Sequence, residues 1–428
     1  MCGSKSNIAP NNWRLRKIGQ LAETYAGGTP PRNARGMFGG TIPWVKSAEL
    51  NQREILDTDE KLTELGYQSS SAKWIPENMP LIAMYGATAG VVSWLKIRAV
   101  TNQAVLAVLP RNEYTDSRWL YWTLGFHSGK LLASVQGSGQ PNLNKTLIEQ
   151  LEVICPSFPE QRRIAEILDA ADEAIRQAER LIAKLRAAKA GLLHDLLTRG
   201  LDEHGHLRDP QAHPEQFKDL PVGRIPQEWN VVAFRGLLEV LYRYPTYYGI
   251  EYRNQGVPEV RGELILDDGT LDPRPDCYRC VSEQTAASFP RVRLEAGDFV
   301  MSVRGTLGKT AIVPPWLRGA VITANLIRLQ FNKARVVPEW ANHFLLSKMF
   351  QDQLDLQTSA TTIKTIQAPA LGSILLALPP LEEQGQIAIV LDIHDARIRA
   401  EEAALAKLRQ VKRGLMDDLL TGRVRVGG

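Results

Sequence analysis

The chain has 428 residues, 44% hydrophobic and 23% charged, enough apolar material for two or three domains with full cores, which excludes a disordered or fibrous chain. Lys and Arg total 51 against 47 Asp and Glu, a net charge of +4, so overall charge cannot drive binding to a polyanion and any such contact depends on local placement. The cysteines Cys2, Cys155, Cys277 and Cys280 do not form a secreted disulfide framework; with no apolar run of about 18 residues and no signal-peptide core in residues 1–12, the sequence predicts a cytoplasmic protein without membrane contact.

Taken in chain order, Trp13-Arg-Leu-Arg-Lys-Ile18 alternates as a first strand. Two loops follow, Gly27-Gly-Thr29-Pro-Pro-Arg32-Asn33 and Ile42-Pro-Trp44-Val-Lys46-Ser47. Residues 81–92 are β-rich around a glycine turn that holds Tyr85 and Thr88, and residues 100–106 carry Asn102 and Gln103 into another strand. Trp119-Leu-Tyr-Trp122 marks an aromatic helix, and the polar loop 137–145 holds Gln140, Asn142 and Lys145. Together these elements predict a first globular domain over residues 1–157.

Residues 158–200 read differently. Ile164, Leu168, Ala171, Ile175, Ala178, Ile182, Leu185, Lys189, Leu192 and Leu196 step by alternating fours and threes, the heptad seam of a long coiled-coil helix. Residues 201–225, with Asp202-Glu-His-Gly-His-Leu-Arg-Asp-Pro210, are polar and broken by glycine and proline, so they read as a linker of loops and short turns, the hinge of the chain.

A second domain over residues 226–379 repeats the order of the first. Trp229-Asn-Val-Val-Ala-Phe234 opens it, and the aromatic stretch Leu241-Tyr-Arg243-Tyr-Pro-Thr-Tyr247-Tyr248-Gly249 follows. Residues 299–310 form a β-rich centre whose turn carries Arg304, Thr306 and Lys309, and aligning Thr88 with Thr306 also aligns Gly90 with Gly308. Val321-Ile-Thr-Ala-Asn325-Leu-Ile327 and Trp340-Ala-Asn-His-Phe344 complete the parallel, with Lys364 beyond them. The expectation is two copies of one α+β domain.

The second helix, residues 380–422, keeps the seam with Ile387, Leu391, His394, Ile398, Glu401, Leu405, Leu408, Lys412, Leu415 and Leu419, leaving a short tail at 423–428. Shifting residues 160–198 by 223 lays them on 383–421 without a gap, with 21 of 39 positions identical; chance gives about 2 or 3. Both copies open on Glu-Gln, close on Asp-Leu-Leu-Thr and place Lys late in the seam, a polar residue that fixes register. A helix of this length, about 58 Å, cannot bury its stripe alone. The cheapest partner is the other copy within the chain, parallel or antiparallel; the rival is a stand-alone dimeric DNA-binding or scaffold protein that associates through these helices.

No catalytic motif is complete. Gly305-Thr-Leu-Gly-Lys-Thr310 ends like a phosphate loop, but its first glycine is replaced by Val303 and the other domain has Val91 and Val92 in place of Lys-Thr, so it reads as a strand-turn-strand. Cys277 and Cys280 lack two further zinc ligands, and His204, His206 and His213 belong to the polar linker. Neither a nucleophile elbow, a His-Glu-x-x-His helix nor a glycine-rich cofactor motif is present. What remains is a binding surface: the loops carry Arg, Lys, Asn and Gln, which pair with base edges and phosphates. Residues 1–155 hold 16 basic and 12 acidic side chains, and residues 226–378 hold 16 and 15.

These features resemble the specificity subunits of type I restriction-modification enzymes over essentially the whole chain. The resemblance rests on the Glu-Gln openings that follow the proline-bearing stretches Pro156-Ser-Phe-Pro159 and Pro379-Pro380, on the Asp-Leu-Leu-Thr endings of the helices, on Phe217-Lys-Asp219, Gly223-Arg-Ile-Pro226 and Trp229, and on Gly28-Thr-Pro30, Ile42-Pro-Trp44 and Tyr85-Gly-Ala-Thr-Ala-Gly90. It implies an α+β architecture in which two target-recognition domains alternate with two long helices paired as an antiparallel coiled coil, a pseudo-twofold internal repeat. It implies that each domain reads half of a split DNA site, that helix length sets the unread gap, and that two modification subunits carrying S-adenosylmethionine and restriction subunits using ATP and Mg2+ join the chain, which itself binds no cofactor or metal and is no enzyme. The candidate DNA contacts are Thr29, Arg32, Trp44, Lys46, Ser47, Tyr85, Thr88, Asn102, Gln103, Gln140, Asn142 and Lys145 in the first domain, and Arg243, Tyr247, Tyr248, Arg304, Thr306, Lys309, Asn325 and Lys364 in the second. Arg32, Lys46 and Lys309 are expected on phosphates. The second domain lacks Gly-Gly-Thr-Pro, so unlike half-sites are expected.

Overall fold

The computed structural model describes residues 13–135, 142–220, 222–243, 251–358 and 364–426. The chain divides into two compact units: the residues up to Arg180 together with those from Glu402, and Leu181–Glu401. The long helices, Phe158–Thr198 and Leu381–Leu420, each give one half to each unit.

In the first unit, Arg14–Lys17 pairs antiparallel with Glu152–Cys155, which closes the start of the domain against its end. A five-stranded sheet runs Ala22–Ala26, Val105–Pro110, Met79–Ala83, Val92–Leu95 and Glu54–Ile55, with only the last pairing parallel. Alternation along its strands divides the core, as the two-residue period of a pleated strand requires. Ile82, Leu106 and Val108 meet the helix Ser117–Ala133, whereas Leu81, Ala83, Val105 and Ala107 meet Val45, Leu50 and Ile55. That helix begins at Asp116, whose carboxylate accepts the Trp119 N–H at 2.8 Å.

The second unit follows the same plan. Asn230–Ala233 pairs with Leu375–Leu378, and a four-stranded sheet runs Leu238–Arg243, Leu326–Phe331, Phe299–Ser302 and Thr310–Ile312. Phe299, Met301, Ile327 and Leu329 face Trp340 and Phe344, while Val300 and Leu326 face Val260 and Val321. In place of one 17-residue helix stand two, Pro338–Leu346 and Lys348–Leu356, because Ser347 between them is extended and its hydroxyl caps the second. Two copies of one α+β domain are thus present.

Both units contain antiparallel stretches of the long helices. In the first, Asp172 pairs with Lys412 and Glu179 with Arg409, so one index rises as the other falls. In the second, Lys189 meets Asp395 at 2.5 Å, while Leu196 shares a core with Ile387 and Leu391. The two late-seam lysines thus each grip the same aspartate of the opposite copy. The seam is not paired helix to helix throughout: Ile164, Leu168 and Leu419 enter the first domain's core, and Leu196, Ile387 and Leu391 enter the second's. Ile175, Ile182, Ile398 and Leu405 are buried, and Leu185, Leu192, Leu408 and Leu415 are half-buried.

The Glu-Gln openings have a structural purpose. Gln161 donates to the carbonyls of Pro156 and Tyr114 and accepts the Asp116 N–H, and Gln384 does the same with Pro379, Arg335 and Val337. Glu160 accepts the Trp13 indole N–H and an Arg425 guanidinium; Glu383 accepts those of Trp229 and Arg208. The linker differs from expectation. Phe217–Leu220 and Gly223–Pro226 pair as a hairpin, held by the burial of Phe217 and Ile225, and Leu201 and Arg208 are bound to Glu383, so this end of the linker is tied down rather than free to hinge.

His343 Nε2 lies 2.8 Å from Asp392 Oδ1, and Asp395 and Lys189 stand beside it. Burial pushes the imidazole below its ordinary 6.5, against the pull of Asp392 and with the help of Lys189. Both folded and unfolded states are neutral above 6.5; as pH falls through that value the unfolded chain takes the proton first and stability is lost. Urea midpoints measured from pH 7.5 downward should fall through this window, and should fall less in His343→Gln; identical profiles would exclude His343 as the source.

Candidate nucleic-acid interface

The loops of the first domain are joined edge to edge. Gly28 N–H donates to Thr101 O at 2.9 Å, and Trp44 Nε1 donates to Gly28 O at 3.0 Å. A Cβ on Gly27 would stand 1.8 Å from Thr101 O, so this approach of backbone to backbone requires glycine. Beyond it, the Thr29 hydroxyl meets Gln103 Oε1, Asn102 N–H donates to Val45 O, and Thr88 Oγ1 donates to Ser47 O at 2.9 Å. The glycine turn in turn lies against Leu143, whose N–H donates to Met84 O, with Tyr85 bridging to Asn142. Thr29, Ser47, Tyr85, Thr88, Asn102, Gln103 and Asn142 are therefore brought together.

Arg32 and Lys46 converge on one carboxylate. Arg32 Nη1 and Nη2 donate to Glu60 at 3.2 and 3.1 Å, and Lys46 Nζ lies 3.0 Å from the same group. Arg32, foremost, and Lys46 hold the Glu60 carboxyl below the usual range. The Arg32 guanidinium also lies 4.9 Å from the Phe38 ring centre and 5.5 Å from that of Trp44. Trp44 itself is only 1% exposed. Contrary to the expectation that it contacts DNA, it forms the floor beneath Arg32, because it sits in the strand Phe38–Val45 and points into the core. Lys145 stands exposed 3.7 Å from Glu149.

In the second domain Arg304 takes the place of Tyr85: it bridges to Thr365 as Tyr85 does to Asn142, and the next residue, Gly305, has φ +83° as Gly86 has +86°. Arg304 is exposed, and among the described residues its guanidinium makes no hydrogen bond or ion pair. Lys309 pairs with Asp267 at 3.0 Å, Lys364 with Asp355 at 2.9 Å, and Arg243 donates to Ala324 O and Gln367. Thr306 and Asn325 are exposed; Asn325 O accepts the Val303 N–H as Ala104 O accepts that of Met84. Gln140, Tyr247 and Tyr248 lie outside the described residues.

Several residues of the surface are not anticipated by the sequence. Glu60 organises the first domain's cations, and in the second Glu259 pairs with Arg279 at 3.0 Å, Arg279 lies 3.9 Å from the Tyr252 ring centre, and Arg261 pairs with Glu263. Burial raises the Glu259 carboxyl, opposed by Arg279 and Arg261. No sequence periodicity marks these residues, since they lie in strands of three or four residues and in loops.

The segment 305–310 turns between antiparallel strands, its Lys309 N–H donating to Ser302 Oγ at 3.0 Å, so no helix N-terminus stands there to cradle phosphate. Cys277 and Cys280 are half-buried free thiols. Among the described residues the one metal-like group is His343, Asp392 and Asp395, and Lys189 already neutralises Asp395. The equivalent place in the first unit holds Trp122, which donates to Asp169, and the Asp172–Lys412 pair; both are polar contacts of the helices. Among the described residues no helix is long and apolar enough to cross a membrane.

A family model described as type I restriction modification DNA specificity domain matches residues 10–187 and 226–410. The type I restriction enzyme MjaVIII specificity subunit of Methanocaldococcus jannaschii is 24% identical over 427 residues, covering 97% of this chain and 94% of that protein. Among solved structures, a chain from a study of assembly and conformational transition of the type I R-M system aligns with a TM-score of 0.61 at 20% identity, covering 97% of this chain and all of that one. The type I restriction-modification S subunit from M. genitalium aligns at 0.55 and 15% identity, covering 98% of each chain. At these identities the structural likeness concerns the fold.

Proposed function

We propose, on the premise that this chain belongs to the type I restriction-modification DNA specificity family, that its two globular units are target-recognition domains, each reading half of a split double-stranded DNA sequence. One observation carries this reading: a common backbone plan presents unlike side chains at equivalent places, Tyr85 against Arg304 and Ala104 against Asn325. A repeated scaffold with unlike loops suits two unlike half-sites. The long helices set the unread gap and dock two modification subunits, which bring S-adenosylmethionine; restriction subunits bring ATP and Mg2+. The chain supplies the address and no catalytic group, and it works in the cytoplasm. Pairing of the long helices inside each unit weighs against the rival dimeric scaffold, whose helices would seek a second copy.

The test is co-purification with a candidate modification subunit, then mapping of methylated adenines in DNA exposed to the complex and S-adenosylmethionine. Methylation at a two-part motif with a fixed gap supports the reading; a self-associated chain that neither captures the partner nor directs methylation overturns it. Within that assay, Arg304→Ala should relax one position of one half-site by about 1–3 kcal/mol, the value of a bidentate base contact. An equal loss on every sequence would instead make Arg304 a phosphate contact.

A further inference from the structure

The small sheets of the two domains can be superposed by their ladders alone. In the first, Phe38–Val45 runs parallel to Val100–Thr101, with Trp44 opposite Val100, and its other edge faces Lys61–Leu62, where Trp44 N–H donates to Glu60 O. In the second, Val257–Val260 runs parallel to Val321–Ile322, with Glu259 opposite Val321, and its other edge faces Arg279–Val281, with Glu259 opposite Arg279. The hydrogen bonds that follow agree: Asn102 N–H donates to Val45 O and Thr323 N–H to Val260 O. Trp44 and Glu259 therefore occupy one topological position, and Glu60 and Arg279 flank it.

At that position each domain assembles an aromatic ring, an arginine and a carboxylate, with the roles exchanged. In the first domain the central strand supplies the ring (Trp44), the flanking segment the carboxylate (Glu60), and the preceding loop the arginine (Arg32). In the second the central strand supplies the carboxylate (Glu259), the flanking strand the arginine (Arg279), and the preceding segment the ring (Tyr252). Each arginine keeps a face to solvent, at 57% exposure for the Arg32 side chain and 43% for Arg279.

We infer that Arg32 and Arg279 are equivalent specificity-determining residues, each presenting a fixed guanidinium edge to the O6 and N7 of a guanine in its half-site. The inference rests on the proposed function. A phosphate contact asks only for a charge, which a mobile lysine supplies; holding a guanidinium in one plane by a ring and a carboxylate matters where the fork must meet two acceptors together. Both groups retain donors for this. Of the five N–H bonds of an arginine, the Arg32–Glu60 contact engages the Nη1 and Nη2 ends and leaves the Nε edge, and the Arg279–Glu259 contact engages Nη2. Glu60 is then a positioning residue, which accounts for a carboxylate placed among cations on a surface meant for DNA.

The experiment uses the full chain with its modification subunit, S-adenosylmethionine and DNA randomised across the site, with the methylated motif read by sequencing at several salt concentrations. Arg32→Ala should lose guanine preference at one position of one half-site by about ten- to a hundredfold, and Arg279→Ala should do the same in the other half-site only. Arg32→Lys keeps the charge without the fork, so it should match Arg32→Ala in base preference while keeping the wild-type salt slope; Glu60→Gln should weaken the same guanine preference. The half-site left unaltered reports that the variant folded and assembled. Where Arg32→Ala does not assemble, Arg32→Lys gives the same reading. A uniform loss on all sequences with a salt slope reduced by about one, or an unchanged motif, overturns the inference. Absence of any split motif with the wild-type chain is a failure of the proposed function instead.

Discussion

Lys412→Ala is expected to destabilise the first unit by about 3–5 kcal/mol, the cost of stranding a buried charge, with the lower end favoured because a second cation remains. Asp172 has a side chain 0% exposed and is gripped by Lys412, while Arg53 stands 3.0 Å from its other oxygen. The Lys412 ammonium also lies 4.6 Å from the Trp122 ring centre, so the substitution removes a cation–π attraction as well. Because a buried ionic group is costly to break but not to replace, Lys412→Met combined with Asp172→Leu should recover part of the stability, with Arg53, 35% exposed, left to be hydrated. The equivalent Lys189→Ala should cost less, since Asp395 is 22% exposed and water can reach it. Hydrogen exchange separates the cases: Lys412→Ala should lower protection in residues 158–180, Lys189→Ala in residues 181–198. Equal effects of the two substitutions would remove burial as the deciding variable.

The register that these lysines fix is legible in the sequence, because a heptad seam repeats locally and 21 of 39 positions coincide after one shift. Their partners are not: Asp172 and Asp395 lie off the heptad seam, and only the antiparallel crossing brings each to a lysine more than two hundred residues away. The doubled domain is legible from Trp13 and Trp229, the glycine turns and the aromatic helices, each a local pattern. The linker hairpin is hidden, since a four-residue strand ending in Ile225-Pro226 carries no alternation long enough to stand out. Trp44 reads as a surface residue because its neighbours Lys46 and Ser47 are polar, whereas the pleat turns it inward. The two ring-arginine-carboxylate groups lie beyond alignment altogether: equivalent positions hold Trp44 and Glu259, so chemistry repeats where residue identity does not.

The largest effect outside the seam is expected at Glu383. Its carboxylate, 7% exposed, accepts the Trp229 indole N–H at 3.0 Å, the Leu201 backbone N–H at 2.8 Å and both terminal nitrogens of Arg208 at 2.5 and 3.3 Å. It also places negative charge in the first turn of its helix, where the backbone dipole favours it. Glu383→Ala leaves two buried N–H groups without an acceptor, at about 1–3 kcal/mol each, and takes from the almost covered Arg208 its nearer carboxylate, leaving it Glu228 at 3.8 Å, for a total of at least about 3 kcal/mol. Glu383→Gln keeps an acceptor for the indole and loses the charge, so it should fall between. The counterpart Glu160→Ala should cost less, because its arginine, Arg425, is 43% exposed and can be rehydrated. Glu383 also anchors the start of the linker through Leu201 and Arg208, so Glu383→Ala should release that segment as well as lower the melting temperature. Limited trypsin digestion should then cut after Arg199 or Arg208 well before it does in the unaltered chain. A variant that melts early while both arginines stay protected would confine the role of Glu383 to the Trp229 core and leave the linker held by its hairpin alone.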